Sequence, residues 1–180
     1  MQQRTDQKQC TPPFKFNWTT YGLISILVLL ADQTTKYLVM SRLSLGTEIE
    51  VIPHFFRVVS VRNPGIVFGL FSQNHARSHQ MIIIIFTVVA MAAILVYSKR
   101  RKRAKSPEFY PLGLILGGAA SNLLDRIFHG RVVDFLDFYI QNHHWYTFNV
   151  ADSGIVIGVS LLLILQWVEG KKQKRVTFGQ

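Results

Sequence analysis

The chain has 180 residues, of which 49% are hydrophobic, with a mean hydropathy of +0.22 and a formal net charge of +10. Its apolar residues are gathered into four runs, Trp18–Met40, Met81–Tyr97, Tyr110–Leu124 and Phe148–Trp167, which leaves too few residues for a separate soluble domain. Most of the Lys and Arg stand in short blocks beside those runs, which argues against nucleic-acid binding, because membrane topology alone accounts for such blocks.

Residues 1–17 are polar, contain Pro12 and Pro13, and read as a flexible cytoplasmic tail. Cys10 is the only cysteine, so no disulfide or cysteine-rich metal site forms within one chain. The first span, about 18–40, has too long an apolar core for a cleaved signal peptide and is read as permanent. Trp18 and Tyr21 suit an interfacial belt at its start. Asp32 lies ~21 Å further along such a helix, in its outer half. Lys36 follows one turn later, and the i,i+4 order with the acid first lets the two pair.

Residues 41–78 form the longest connection, rich in β-branched and aromatic residues with Arg57, Ser60 and Arg62 interspersed, so short strands are expected. Asn63-Pro64-Gly65 is a turn signal, and Ile66–Phe71 is expected to return toward the membrane. Three further spans are expected at about 79–98, 109–128 and 148–168. The third is short and contains Gly113, Gly117, Gly118, Ala119, Ala120 and Ser121, small residues that let helix backbones approach closely in lipid. Asn122, Asp125 and Arg126 stand at its outer end. The i,i+3 pair Asn122 and Asp125 shares a helix face, and Asp125 has a structural reading in which it holds Arg126 or a loop amide.

The basic blocks fix the expected orientation. Arg4, Lys8 and Lys15 precede the first span, Lys99–Arg103 and Lys105 follow the second, and Lys171, Lys172, Lys174 and Arg175 follow the fourth. With four spans these blocks share one side, which the positive-inside rule assigns to the cytoplasm together with both termini. Asp32, Lys36, Asn63, Asn122, Asp125, Arg126, Asp134, Asn149 and Asp152 then all fall at the outer membrane boundary. A carboxylate near hydrocarbon costs about 2.5–3.5 kcal/mol at a helix centre, so one kept there marks a functional site.

Asp134 and Asp152, at the outer ends of apolar stretches, are the candidates for acid–base chemistry. Burial beside a second carboxylate leaves one acid protonated and its neighbour ionised, the arrangement of aspartic proteases. Helix capping competes for Asp152, because Asn149 followed three residues later by an acid resembles a capping box. Asp137 stands i+3 from Asp134. His129, His143 and His144 form no helical metal motif and read as solvated, so no metal or other cofactor is expected.

Taken together, Asp-Gln-Thr-Thr-Lys at 32–36, Asn-Pro-Gly-Ile-Val-Phe-Gly at 63–69, Gly-Gly-Ala-Ala-Ser-Asn-Leu-Leu-Asp-Arg at 117–126, Val-Val-Asp-Phe at 132–135 and Phe-Asn-Val-Ala-Asp at 148–152 resemble bacterial lipoprotein signal peptidase, also called signal peptidase II. The chain departs at Ser121, where that family often has Gly, and at Ile66-Val67, where it often has Ala-Ala. The resemblance implies an α-helical membrane protein of four transmembrane helices, with a small extracytoplasmic β-cradle and a short amphipathic helix within 41–78. It implies one integral membrane peptidase domain over 1–180. It implies an aspartic endopeptidase of the inner membrane that cuts diacylglyceryl-modified prolipoproteins just before the lipidated cysteine. Asp134 and Asp152 map to the catalytic dyad. Asp32, Lys36, Asn63, Gly65, Asn122, Asp125, Arg126 and Asn149 map to substrate-binding or supporting positions. The expected contacts are prolipoprotein and membrane lipids, with no nucleic acid, and the protein is expected to be a monomer.

Two other readings compete. A proton- or ion-coupled transporter would need polar groups at successive depths, whereas this chain concentrates them at one level. A non-catalytic scaffold would use the acids only to cap and pair. The topology has its own test. Outside labelling should reach a cysteine placed in the Gln141–His144 loop and miss one at Ser106, and the reverse pattern removes the shared-level argument.

Overall fold

The structure, a computed structural model, describes residues 18–65, 76–101, 107–141 and 143–178. The expected tail 1–17 and the expected return segment Ile66–Phe71 lie outside the described residues. So does the stretch 66–75, the part of 41–78 left for the short amphipathic helix, since the described residues between the first two long helices hold strands.

Among the described residues, four helices and four strands follow in the order α1 (Trp18–Arg42), β1 (Glu48–Ile52), β2 (Phe56–Asn63), α2 (Ala76–Arg101), α3 (Phe109–His129), β3 (Val132–Ile140), β4 (His143–His144) and α4 (Val150–Phe178). Three helical stretches, Trp18–Arg42, Ser78–Arg100 and Val150–Lys171, are long and apolar enough to cross a membrane. Their apolar windows are only 11%, 6% and 17% buried, so their side chains face outward, as lipid-facing helices do. α3 is not among the three. Its small residues and its Asn122, Asp125 and Arg126 dilute its apolar character, and it takes the central place, packed chiefly against α1 and α4.

Small residues explain that packing. A Cβ on Gly117 would lie 2.4 Å from the Ser25 carbonyl oxygen of α1, and one on Gly118 would lie 2.4 Å from the Ala151 carbonyl oxygen of α4. Glycine therefore lets α3 touch the backbones of both neighbours, and Ser25 Oγ adds a bond across the gap to the Gly113 carbonyl at 3.1 Å. α3 ends at Gly130, whose positive φ of 66° lets its N–H turn back to the Arg126 carbonyl.

The strands form one antiparallel sheet in the order β1-β2-β3-β4. Phe56 pairs with Phe138, Val61 with Asp134 and Asn63 with Val132, with an irregularity between Val58 and Val61. The sheet draws on two distant stretches, 48–63 and 132–144, rather than on the 41–78 segment alone. Asp134 accordingly sits inside a strand, after α3 has ended, and not at the end of a spanning stretch. In a strand the i,i+3 spacing puts Asp134 and Asp137 on opposite faces. Asp137 pairs instead with Arg57 at 2.6 Å and approaches His144 at 3.1 Å. β1 is exposed along its whole length.

Because the nearest atom to a Cβ at Gly118 is the backbone oxygen of Ala151, with Ile155 Cγ1 close behind, a larger residue there must force α3 away from α4. Gly118→Val is expected to lower the thermal midpoint in detergent, with a cost of about 1–3 kcal/mol or more. An unchanged midpoint would show that the two helices are not packed as closely as described.

Candidate active site

Lys36 is 1% exposed and lies between two carboxylates, Asp32 Oδ2 at 2.6 Å and Asp125 Oδ2 at 2.7 Å. Its third N–H has the Asn122 Oδ1 to donate to, at 3.0 Å. The expected Asp32–Lys36 pair is present, and α3 supplies the second acid. These acids reach further than the lysine. Asp32 Oδ1 accepts the Ala151 N–H of α4 at 2.8 Å, and Asp125 Oδ2 also accepts the Val133 N–H of β3 at 3.2 Å. Two buried acids thus join α1 and α3 to the elements that carry Asp152 and Asp134.

Asn149 precedes α4 and is wholly buried. Its Oδ1 accepts the Asp152 N–H at 2.9 Å, while Asp152 Oδ2 accepts the Asn149 N–H at 3.3 Å. The capping box that the sequence suggested is therefore formed. It occupies one oxygen of Asp152; the other, Oδ1, accepts from Asn122 Nδ2 at 2.7 Å. Asn149 Nδ2 meanwhile donates to Asp134 Oδ1 at 2.7 Å. One residue thus holds both candidate catalytic carboxylates.

Asp134 is 2% exposed on β3. Its Oδ2 accepts from Asn63 Nδ2 at 2.9 Å. Asn63 is aimed there because its Oδ1 accepts the Gly65 N–H at 2.8 Å in a turn that needs the positive φ of 80° at Gly65. Burial pushes the Asp134 carboxyl up to about 6. The Asn63 bond opposes that rise, the Asp152 charge adds to it, and the Asn149 bond and Lys36 oppose it again. A proton on Asp134 is thus available much closer to neutrality than on an ordinary carboxyl.

All the expected site residues gather in this one cluster, in different capacities. Gly65 shapes a turn. Arg126 Nη1 donates to the Asn122 carbonyl at 3.1 Å, while its Nε is buried with no partner among the described residues. Two residues escaped the sequence reading as site residues. Gln33 Nε2 donates to Asp125 Oδ1 at 2.8 Å and to Ser121 Oγ at 3.0 Å, and Ser121 Oγ donates to Asp32 Oδ2 at 2.7 Å. The available signal was the i,i+3 spacing of Gln33 to Lys36 in an apolar span. A separate apolar recess of about 470 Å³, lined by Phe55, Phe138, Trp145 and Phe148 among others, opens further along β3 and holds none of these carboxylates.

A helical membrane fold with a small sheet and clustered polar groups is that of a membrane enzyme. Two solved structures described as bacterial membrane enzymes superpose on it. One has a TM-score of 0.75 at 30% identity, covering 89% of this chain and 94% of the other. The second has a TM-score of 0.73 at 33% identity, covering 84% and 94%. The model of the signal peptidase (SPase) II family matches residues 24–168. A lipoprotein signal peptidase of Solibacter usitatus is 42% identical over 150 residues, 82% of this chain and 89% of that relative. One of Syntrophotalea carbinolica is 40% identical over 148 residues, 82% and 91%. The chain belongs to the signal peptidase II family.

The Asn63 contact has a measurable sign. Its N–H stabilises the ionised form of Asp134, so Asn63→Ala should raise the Asp134 titration above its value of about 6. Carboxyl-carbon NMR of labelled aspartate in detergent reads this without reference to activity. A downward or absent shift would contradict the assigned bond.

Proposed function

We propose that Asp134 and Asp152 act as a pair that hydrolyses the peptide bond before the lipidated cysteine of a diacylglyceryl-modified prolipoprotein, releasing its signal peptide. Membership of the signal peptidase II family supports the reaction, and so do relatives that are lipoprotein signal peptidases. The observation that carries the residue assignment is Asn149, which bonds to both carboxylates although they come from a strand and a helix. The neighbouring Lys36 is already neutralised by Asp32 and Asp125, so the pair is held by neutral amide N–H groups.

In this reading one carboxylate takes a proton from water as the water oxygen bonds to the scissile carbonyl carbon. The protonated partner gives its proton to the carbonyl oxygen. Collapse of the tetrahedral intermediate breaks the C–N bond, the proton held by the base passes to the leaving amine of the cysteine, and one hydroxyl of the intermediate returns its proton to the partner carboxylate. A carboxyl pushed up to about 6 suits the acid half, although the two titrate as a unit. No metal or cofactor enters any step. Arg126, which the family resemblance assigns to substrate binding or support, keeps that role in this reading, its Nη1 bonded to the Asn122 carbonyl.

The surrounding assignment is part of the same proposal. Residues 1–180 form a single peptidase domain in the bacterial cytoplasmic membrane, with α3 as a fourth, polar-ended span and both termini in the cytoplasm. The sheet serves as the extracytoplasmic cradle, and the carboxylate pair stands at the outer surface, where a lipid-anchored scissile bond would lie. The protein works as a monomer in contact with lipids. A transporter reading is disfavoured because the charged groups bond to one another in a single cluster instead of spacing themselves along a path.

Asn at position 152 can still accept a backbone hydrogen bond but cannot ionise. A cap is worth about 0.5–2 kcal/mol even on replacement by Ala, so as a cap alone Asp152→Asn would lose little. As a catalytic group it should abolish cleavage of a lipidated precursor while the melting temperature stays near wild type. Asp134→Asn should behave alike, and the double variant should be scarcely worse than either single one. A folded Asp152→Asn protein that cleaves at near wild-type rate would falsify the pair.

A further inference from the structure

We infer that Ser121 is a positioning residue for the reaction, its hydroxyl holding Asp32 in the orientation that fixes the first turn of α4 and with it Asp152. The inference rests on the assignment of Asp152 above and extends it to a residue whose hydroxyl bonds to Asp32 and Gln33 rather than to the pair.

The hydroxyl is fully buried in α3 and donates to Asp32 Oδ2 at 2.7 Å. It is also an acceptor, taking a bond from Gln33 Nε2 at 3.0 Å, which fixes the direction in which its own proton points. Gln33 is anchored in turn by a 2.8 Å bond to Asp125 Oδ1. Asp32 has three donors: the Lys36 ammonium at 2.6 Å and the Ser121 hydroxyl at 2.7 Å on Oδ2, and the Ala151 N–H at 2.8 Å on Oδ1. A carboxylate is planar, so fixing one oxygen from two sides fixes the other. The oxygen so fixed receives an N–H of α4 that no residue of α4 can satisfy, because the first helical N–H groups lack intrahelical partners. Asp32 is thus a cap supplied by α1, one residue before Asp152. The capping box of Asn149 is the cap supplied from the chain itself.

The charge around Asp152 makes the hydroxyl matter beyond packing. Facing this region are Asp134 on β3, Asp125 and Arg126 on α3, and Asp32 and Lys36 on α1. Lys36 is shared between two acids, so Asp32 is left incompletely neutralised, and the Ser121 dipole is the neutral donor that offsets the remainder. Removing it lets Asp32 turn and leaves more negative potential beside the pair. The pair then ionises less readily, so the acid limb of its pH–rate profile moves to higher pH.

Ser121→Ala and Ser121→Gly both delete the hydroxyl, and neither adds an atom that could clash in this buried position. Each is expected to lower kcat roughly 10-fold through misplacement of the carboxylate, to leave KM for a lipidated precursor unchanged, and to raise the acid limb. Hydrogen exchange of the Ala151 amide should accelerate in both, which reads the Asp32 cap independently of activity. Wild-type kcat in both variants, or a kcat loss with unaltered Ala151 exchange and pH profile, would overturn the inference. An Ala variant that loses activity while Gly keeps it would also overturn it, because packing and not the hydroxyl would then be at work. The underlying pair is tested separately by Asp152→Asn, so an active Asp152→Asn enzyme removes the pair, while inactive Asp152→Asn with fully active Ser121 variants removes only the role of the hydroxyl.

Discussion

The molecule depends on a lysine ammonium shut away from water. Lys36 is 1% exposed, and its charge is tolerable only because two carboxylates and an amide oxygen take up its three N–H groups. Those partners cannot all come from one helix. Asp32 comes from α1 and Asp125 with Asn122 from α3, so satisfying one cation sets the relation of two helices. The acids have acceptor capacity to spare, and they also take backbone N–H groups of α4 and β3. An ion pair of this kind contributes little net stability when set against an apolar replacement, yet it is costly to break singly. Its value here lies in specification: it defines where four elements meet.

The cluster also separates two kinds of carboxylate within a small space. Asp32 and Asp125 face a cation and take part in structure. Asp134 and Asp152 face amide groups of Asn63, Asn122 and Asn149, which orient without neutralising. Asparagine suits this task, since its Nδ2 donates while its Oδ1 is engaged elsewhere, as Asn63 shows with Gly65 and Asn149 with the Asp152 amide. The acids of the second pair thus remain titratable while their positions are set by groups that cannot themselves titrate.

Much of this was legible from residue type and spacing. Of the four spans expected from the apolar runs, three are helices long and apolar enough to cross a membrane, the i,i+4 order gave the Asp32–Lys36 pair, and Asn149 with Asp152 announced a capping box. What stayed hidden has physical reasons. Val132–Ile140 is an apolar strand following directly on an apolar helix, and its composition does not mark where one period gives way to the other. Its partner β2 lies some seventy residues earlier, and sequence carries no direct signal of such pairing. Ser121 and Gln33 were hidden because a hydroxyl or an amide in a helix becomes informative only when its neighbour across the packing interface is known. α3 is central because of what it lacks in side-chain volume at Gly117 and Gly118, and small residues say that something approaches without saying what.

β1 is an open edge of the sheet. β1 pairs only with β2 and leaves its other row of N–H and C=O groups uncovered by any described strand, in a stretch that also exposes Ile49, Val51 and Ile52. A bare apolar edge is a template on which another chain can add itself, and crowding many copies in the plane of a membrane would favour such growth. β1 carries its own deterrents. Glu48 and Glu50 bring two negative charges within five residues, so a second copy laid alongside meets like charge. The pairing with β2 loses register between Glu50 and Ile52, and Pro53 follows at once, so the straight edge offered to a newcomer is short. The segment that completes the sheet is thereby built to stop it from growing.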